Sequence, residues 1–326
     1  MMSNANTNFH SSGNSVFKER SQAFEEYREL WDAAPKDHLS LPYPIHLDIE
    51  STNHCNLKCS FCARAHNQWG PDARGYMDFG MYRDIIDDGI QNGLMSIKLS
   101  YRGEPLLHPD IISMVRYAKD AGILDVYLNT NGQILTPRII DGLCQAGMNR
   151  ISISIEGHTK EVYERSRGAP FDTIFQNVKD LAMIRDSMGS DMRIRIQTVL
   201  PPGNHNLTEY QDYVRFWQPY ADEIGYLDLR AETPESPRIP PGQSKWECPF
   251  LWQRMTILWD GTVLPCLMHG ISDFTPYTLG HVSTNKISDM WHAMEPRREY
   301  HLSGRSDMLC HECSFRLSEI TKRMGR

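Results

Sequence analysis

Short apolar runs alternate with amphipathic segments from residue 45 to residue 229 of the chain. The apolar runs predict buried strands at 45–49, 96–100, 125–128, 150–155, 192–199 and 223–229. The segments between them carry apolar residues at helical spacing and predict helices at 79–92, 110–121, 137–146, 171–188 and 208–220. Strands that alternate with helices favour a parallel sheet with right-handed crossovers. Because these six strands are fewer than the eight of a closed barrel, the pattern predicts an α/β fold, a partial (β/α)6 TIM-like barrel.

The regions that flank this repeat follow other patterns. Residues 1–15 are polar and are predicted to be disordered, whereas the apolar spacing within 16–33 predicts a short amphipathic helix. Proline-rich residues 233–245 predict a linker or rim loop, Asp260-Gly261 predicts the turn of a β-hairpin, and 286–294 is predicted to be a helix. The chain is therefore predicted to consist of an N-terminal extension (1–44), the partial barrel (45–232) and a small C-terminal domain (233–326).

Composition and charge narrow the classes of partner. The chain has 34 basic and 41 acidic residues, a net charge of −7, which gives no electrostatic reason to expect nucleic acid or an anionic membrane as a partner. No apolar run approaches the roughly 18 residues of a membrane-spanning helix, and the polar N-terminus lacks the apolar core of a signal peptide. We therefore expect a cytoplasmic protein.

The eight cysteines fall into two groups and one single residue. In a reducing compartment they are better suited to bind metals than to form disulfides. Cys55, Cys59 and Cys62 have the spacing C-x3-C-x2-C, with no fourth cysteine nearby. The second group comprises Cys248, Cys266, Cys310 and Cys313. Three thiolates on an iron–sulfur cluster leave one iron open to another molecule, whereas structural zinc requires four ligands.

Polar residues follow the predicted strands, where the carboxyl ends of parallel strands form an active-site rim. After the cysteine loop come Gly103 and Glu104, then Asn129 and Asn131, then Ser154 and Glu156, then Arg230 and Glu232. With the cysteine loop on the first strand and these motifs on later ones, residues 45–230 resemble the radical SAM superfamily. The resemblance implies that Cys55, Cys59 and Cys62 hold a 4Fe-4S cluster whose open iron binds S-adenosylmethionine, and that cleavage of this cofactor gives a 5′-deoxyadenosyl radical.

The same resemblance implies roles for individual residues. Phe61 stands at the aromatic position before the third cysteine. Gly103 and Glu104 resemble the motif that receives the methionine ammonium, with Arg102 in place of a common glycine. Ser154 and Glu156 resemble the pair that reaches the ribose hydroxyls, and Asn129 and Asn131 are further cofactor candidates. Arg167, or Arg165 in its place, resembles an arginine that faces the cofactor carboxylate.

The C-terminal domain resembles the SPASM/Twitch extension. The resemblance rests on Cys248-Pro249, on Asp260-Gly261-Thr262-Val263-Leu264-Pro265-Cys266 and on Cys310-x2-Cys313. It implies one auxiliary 4Fe-4S cluster with every iron bound by a thiolate, in a layout similar to 2-deoxy-scyllo-inosamine dehydrogenase-like enzymes. We expect the radical to abstract a hydrogen from a carbinol carbon of a sugar, cyclitol or aminoglycoside. The alcohol then becomes a ketone, Arg230 or Glu232 contacts the substrate, and the auxiliary cluster accepts the electron.

Other functions remain open from the sequence. Epimerisation of a sugar or peptide would need a thiol hydrogen donor, for which only Cys144 is left, and its position inside a helix favours a buried core residue. Peptide modification is a further alternative. Zinc could occupy either cysteine group, with His54 or His66 as the missing ligand of the first. The radical reaction also requires a one-electron reductant such as flavodoxin or ferredoxin.

Overall fold

The structure, a computed structural model, describes residues 8–11, 21–62, 74–200, 207–228, 247–267 and 278–304, together with 310, 313, 315 and 316. One sheet organises this part of the chain, with the strand order β1-β7-β6-β5-β4-β3-β2-β8-β9-β10. Its strands are β1 (Asn8–Ser11), β2 (His46–Ile49), β3 (Ser96–Lys98), β4 (Asp125–Thr130), β5 (Arg150–Ser154), β6 (Arg193–Leu200), β7 (Glu223–Asp228), β8 (Arg254–Ile257), β9 (Thr262–Leu264) and β10 (Gly280–His281).

Strands β2 to β7 pair in parallel and in sequence order, which confirms the predicted partial barrel. The helices are α1 (Gln22–Lys36), α2 (Phe79–Gln91), α3 (Ile111–Asp120), α4 (Pro137–Gln145), α5 (Lys160–Arg167), α6 (Phe171–Ser187), α7 (Leu207–Trp217), α8 (Phe250–Gln253), α9 (Ile287–His292) and α10 (Glu295–Leu302). Short 3₁₀ helices lie at Pro105–Leu107 and Gln218–Tyr220. All five helices predicted between the strands are present within a few residues of their predicted ends.

The two faces of the barrel strands differ in chemistry. In β2, Leu47 and Ile49 belong to the apolar core, whereas His46 and Asp48 alternate with them on the opposite face. Asp48 pairs with Lys98 of the neighbouring strand and lies 3.5 Å from Arg254 Nη1. Burial tends to raise the pKa of Asp48, but the two cations outweigh it and hold the pKa well below its usual range. The inner face of the barrel is therefore polar and charge-paired, unlike the branched apolar interior of many closed barrels.

Strand β8 joins the two parts of the protein. The predicted hairpin forms, since β8 pairs antiparallel with β9 and Gly261 has a φ of 93°. β8 also pairs in parallel with β2, Leu47 lying opposite Met255, and so extends the barrel sheet by one strand. Because β2 leads into the cysteine loop and β9 leads into Cys266, this pairing places the two cysteine-bearing regions on the same sheet, with only β8 between their strands.

Four sequence-based expectations need correction. Residues 8–11 of the region predicted to be disordered form β1, which pairs antiparallel with β7 and caps an exposed sheet edge. The N-terminal helix occupies 22–36 rather than 16–33. Helix α5 was not predicted because only Tyr163 and Arg167 of its residues are buried, which leaves no apolar periodicity. The C-terminal arginines Arg297, Arg298 and Arg305 are expected from the sequence to form a solvated face, but Arg298 is buried, with its guanidinium 4.1 Å from the ring centre of Trp291.

Candidate functional site

The cysteine loop leaves β2 at the carboxyl edge of the sheet. Cys59 is 6% exposed, and Cys55 and Cys62 are half-buried. The backbone N–H of Cys62 donates to the Cys59 carbonyl at 3.1 Å, which forms a tight turn between these two ligands. The N–H of Ser60 donates to the carbonyl of Ser166 at 3.1 Å. The loop is thereby tied to the end of α5, which lies far along the chain.

Gly103 packs directly against the backbone of the cysteine loop. A Cβ atom at this position would lie 2.2 Å from the Thr52 carbonyl oxygen and 2.6 Å from that of His54. The N–H of Glu104 then donates to the same His54 carbonyl at 2.7 Å. Glycine is therefore required here by the close approach of two backbones, as the sequence motif indicated.

Glu104 is 2% exposed, and its carboxylate organises three segments. It accepts hydrogen bonds from Thr130 Oγ1 at 2.7 Å, from the N–H of Asn131 at 2.7 Å and from the N–H of Leu106 at 3.1 Å. Burial raises the pKa of Glu104, and the Asn131 N–H opposes that shift. The side chain fixes the loop after β4 beside the cysteine loop, and its predicted contact with a methionine ammonium remains a prediction.

The two predicted asparagines have different surroundings. Asn131 Nδ2 lies 3.9 Å from Cys55 Sγ and donates to Asn56 Oδ1 at 2.9 Å, so it contacts the cysteine loop directly. Asn129 is half-buried on the inner face of β4, where its N–H donates to Ser100 Oγ at 3.0 Å. Asn131 therefore belongs to the immediate surroundings of the first cysteine, whereas Asn129 lines the barrel mouth.

Arg167, Glu156 and Cys59 form one buried cluster. Arg167 Nη2 donates to Glu156 Oε1 at 2.8 Å, its Nε donates to Oε2, and its Nη1 lies 3.6 Å from Cys59 Sγ. The guanidinium also lies 5.2 Å from the ring centre of Phe61. Burial raises the pKa of the Cys59 thiol, while the Arg167 charge favours the thiolate that an iron ligand must be. Glu156 and Arg167, which the resemblance implies as contacts of S-adenosylmethionine, therefore also contact each other.

Ser154 lies at the end of β5, two residues before Glu156. It is half-buried, and its Oγ accepts a hydrogen bond from Gln197 Nε2 at 3.4 Å. The structure therefore brings the predicted cofactor residues to one edge of the sheet, around the cysteine loop. Arg230 and Glu232, the predicted substrate contacts, lie outside the described residues.

An ion pair that the motifs did not indicate connects the barrel rim to the C-terminal hairpin. Arg102 Nε donates to Glu50 Oε1 at 2.6 Å, and both side chains are almost fully buried. The N–H of Glu50 donates to the Ile257 carbonyl at 2.8 Å, and the N–H of Trp259 lies 3.4 Å from Glu50 Oε2. The alternation of His46, Asp48 and Glu50 in an otherwise apolar strand was the sequence signal for an inward-facing carboxylate.

The four C-terminal cysteines meet at one cavity. Its lining consists of Cys248, Phe250, Leu251, Cys266, His301, Cys310, Cys313, Phe315 and Arg316. Burial raises the pKa of Cys248 well above its usual value, and the thiolates of Cys266 and Cys313 raise it further. Thiols drawn from three segments around an apolar cavity have the chemistry of an iron–sulfur site.

The residues present fit both groups that the motifs imply. Cys55, Cys59 and Cys62 would hold the first cluster, with nitrogen donors of Asn131 and Arg167 beside two of the sulfurs. Cys248, Cys266, Cys310 and Cys313 would hold the second, one thiolate for each iron. Within the described ranges, no three ligating side chains gather tightly enough for a single metal ion.

Cys144 lies apart from both sites. It is 8% exposed near the C-terminal end of α4, in the apolar core. Burial raises its pKa, and Ser190, which follows α6, contributes a hydrogen bond that opposes the shift. Both helices end where the next strand begins, at the edge of the sheet opposite the cysteine loop, which confirms that Cys144 is a buried core residue.

Two family models match the chain. The Radical SAM superfamily model matches residues 49–190, and the SPASM model, an iron–sulfur cluster-binding domain, matches residues 248–314. The AdoMet-dependent heme synthase of Methanosarcina barkeri is 40% identical over 193 residues, which are 59% of this chain and 53% of that protein. The chain therefore spans about half the length of this curated relative.

Solved structures share the fold. SuiB of Streptococcus suis bound to precursor peptide SuiA aligns with a TM-score of 0.60 and 17% identity, over 94% of this chain and 78% of that one. BtrN in complex with AdoMet and 2-DOIA aligns with a TM-score of 0.50 and 18% identity, over 79% of this chain and 87% of that one.

Of the helices in the described ranges, none combines the length and the apolar character needed to cross a membrane.

The family domains coincide with the two cysteine sites. The radical SAM domain contains the loop of Cys55, Cys59 and Cys62, and the SPASM domain begins at Cys248. The cofactors are accordingly S-adenosylmethionine, the 4Fe-4S cluster that binds it, and an auxiliary iron–sulfur centre. The chain therefore contains a domain of the Radical SAM superfamily at residues 49–190, followed by an iron–sulfur cluster-binding SPASM domain at residues 248–314.

Proposed function

We propose that the enzyme oxidises a secondary alcohol of a sugar, cyclitol or aminoglycoside-type molecule to a ketone, with the auxiliary cluster as the electron acceptor. The observation that carries the proposal is the convergence of Cys248, Cys266, Cys310 and Cys313 on one cavity. Four thiolates would occupy every iron of a 4Fe-4S cluster. A cluster without an open iron is suited to electron transfer rather than to binding the substrate.

The proposed oxidation balances in hydrogen atoms, protons and electrons with the cofactors named above. S-adenosylmethionine, with the cluster that Cys55, Cys59 and Cys62 would hold, would supply a 5′-deoxyadenosyl radical able to take one hydrogen atom from the carbinol carbon. The hydroxyl proton passes to a base, and Arg230 and Glu232 remain the predicted substrate contacts. The auxiliary cluster that Cys248, Cys266, Cys310 and Cys313 would hold would take up the remaining electron. The hydrogen atom, proton and electron together make up the two-electron oxidation of the alcohol.

The connection between the two sites supports this assignment. β8 lies beside β2, and Glu50 is bonded both to Arg102 at the barrel rim and to the backbone at Ile257. The auxiliary hairpin is therefore bonded to the mouth of the barrel, where the radical forms. In addition, Cys144 is buried away from the cysteine loop, which disfavours epimerisation by a thiol hydrogen donor.

The test is anaerobic reconstitution followed by assays with deuterated alcohols. We expect about eight irons per chain, deuterium transfer from the carbinol carbon to 5′-deoxyadenosine, and a ketone product. A Cys266→Ala/Cys310→Ala variant should hold about four irons and cleave S-adenosylmethionine without forming the ketone. Ketone formation by that variant would refute the acceptor role, and zinc in place of iron would refute the cluster itself. Loss of turnover in Cys144→Ala with both clusters intact would favour epimerisation instead.

A precursor peptide is the alternative substrate that the same assay must include. SuiB, whose structure was determined with its precursor peptide, shares the fold of this chain. Modification of a peptide, with no turnover of the small alcohols, would replace the proposed substrate class and leave the radical chemistry in place.

A further inference from the structure

Arg316 lies at the wall of the auxiliary cavity. Among the described residues that line it, Arg316 is the only one with a permanent positive charge, and none is a carboxylate. The other lining side chains are the four thiols, two phenylalanines, a leucine and His301. The charge of Arg316 is thus set against thiolates in surroundings that are otherwise apolar or neutral.

The position of Arg316 is well defined by its neighbours. The side chain is 6% exposed, and the preceding Phe315 stacks on Phe250 with ring centres 4.9 Å apart. Arg316 Nε is buried and has no hydrogen-bond partner among the described residues. Burial lowers the pKa of Arg316, and the charges of Cys310, Cys313 and Cys248 oppose that shift. An arginine held in this way stays charged, because its ordinary pKa lies above 12.

A fixed cation in the wall of the cavity would affect a bound cluster by electrostatics. A 4Fe-4S cluster with four thiolates carries a net negative charge, which increases by one when the cluster is reduced. A neighbouring guanidinium stabilises the reduced form more than the oxidised form, and this interaction is strong where water is excluded. Net charge and hydrogen bonds to sulfur are among the factors that set such potentials.

We propose that Arg316 raises the reduction potential of the auxiliary cluster and thereby enables it to accept the electron from the substrate radical. The inference rests on the proposed function, because it assumes an iron–sulfur cluster at Cys248, Cys266, Cys310 and Cys313. Arg316 acts through that cluster as a tuning residue and takes no part in bond breaking. His301 helps to position Cys248, because the backbone N–H of Cys248 donates to His301 Nδ1 at 3.5 Å.

The experiment is a redox titration of the auxiliary cluster, monitored by electron paramagnetic resonance. It uses the full chain with Cys55, Cys59 and Cys62 replaced by alanine, so that only the auxiliary signal is present. Arg316→Gln should lower the ratio of reduced to oxidised cluster at least tenfold at a fixed ambient potential, which is about 59 mV for a one-electron couple. Arg316→Lys should restore most of this ratio because it keeps the charge.

Two controls make the result specific. Arg215→Gln removes the same charge from an exposed position on α7, where Arg215 pairs with Asp212, and should leave the ratio unchanged. Arg316→Met provides a second neutral variant that keeps the packing of the side-chain stem. Iron and sulfide are measured for every variant, so that the titrations compare fully loaded sites.

The outcomes separate the two proposals. An unchanged potential in Arg316→Gln with about four irons per chain would overturn the tuning role and leave the proposed function standing. Absence of iron from the chain that retains Arg316 and lacks only Cys55, Cys59 and Cys62 would show that there is no auxiliary cluster. Loss of iron from both neutral variants, with full loading of Arg316→Lys, would refute tuning and assign Arg316 to cluster assembly.

Discussion

Arg167 Nη1 lies 3.6 Å from Cys59 Sγ while the other two nitrogens of the same guanidinium bind Glu156. Arg167 is the last residue of α5, and the following Gly168 adopts a left-handed conformation that ends the helix. The contact therefore joins a cluster ligand after β2 to a carboxylate after β5. It keeps the cysteine loop in place and leaves the Cys59 sulfur next to a positive charge.

Replacement of Arg167 should damage the first cluster site. Arg167→Leu leaves Glu156 as a buried, unpaired carboxylate, and we expect a loss of about 3 kcal/mol in the free energy of unfolding. Iron should fall from about eight toward about four per chain, because the loop of Cys59 loses its anchor. Arg167→Lys should be intermediate, since an ammonium cannot reproduce the bidentate contact. Iron analysis and urea unfolding measure both effects.

Arg165→Leu is the matched control for this prediction. Arg165 lies two residues earlier on the same helix and is exposed, so its replacement should change the free energy of unfolding by less than about 0.5 kcal/mol. Equal iron loss in the two leucine variants would contradict the specific role of the Arg167 contact.

The sequence was sufficient for the elements of the barrel and for the residues of the cysteine loop. Both are local patterns: apolar runs of strand length, and three cysteines within eight residues. Glu156 and Arg167 were each predicted to bind the cofactor, whereas their mutual ion pair was not. That contact depends on the path of α5, whose eight residues contain only two buried side chains.

The attachment of the C-terminal hairpin to the barrel could not be predicted. Asp260-Gly261 indicates a hairpin from local turn chemistry, but the pairing of Leu47 with Met255 joins positions some 200 residues apart. No local pattern specifies such a register, because it depends on how two distant segments pack. The ion pair of Glu50 and Arg102 was missed for the same reason.

Glu104→Gln should loosen the site without removing a cysteine. The carboxylate accepts three hydrogen bonds, and a glutamine presents an NH2 group to one of the donors. We expect a loss of about 2 kcal/mol in the free energy of unfolding and weaker binding of S-adenosylmethionine. Thr130→Val removes one of these donors and also the hydroxyl that accepts from the Gly132 N–H, and should cost about 1 kcal/mol for each bond lost. Calorimetric titration with S-adenosylmethionine and urea unfolding measure the two effects, and wild-type values for Glu104→Gln would exclude the organising role of Glu104.

Gly103→Ala should prevent the cysteine loop from closing. The added methyl group would lie 2.2 Å from the Thr52 carbonyl oxygen, and a backbone atom cannot move aside as a side chain can. We expect lower iron content at the first site, measured by iron analysis and visible absorption. Gly80→Ala is the control, because its methyl group would meet only the Asp78 side chain, at 2.9 Å, and should leave the iron content unchanged. Full iron loading of Gly103→Ala would show that the loop tolerates the shift.

The burial of His46 leads to a prediction of how the free energy of unfolding depends on pH. It is fully buried, its Nδ1 lies 2.7 Å from Ser96 Oγ, and burial lowers its pKa to about 4 although Asp48 opposes the shift. The unfolded chain has a histidine pKa of about 6.5, so between about pH 4 and 6.5 only the unfolded state binds this proton. Stability therefore falls as pH falls through that window, by about 1 kcal/mol from pH 6.8 to 5.5.

His46→Gln should remove this part of the pH dependence, which urea unfolding at the two pH values measures. Asp48 does not interfere, because its lowered pKa places its titration below the window. His292→Gln provides the control, since His292 is exposed on α9 and its loss should leave the slope unchanged. The same slope in His46→Gln as in the wild type would show that His46 is not the buried group that loses stability on acidification.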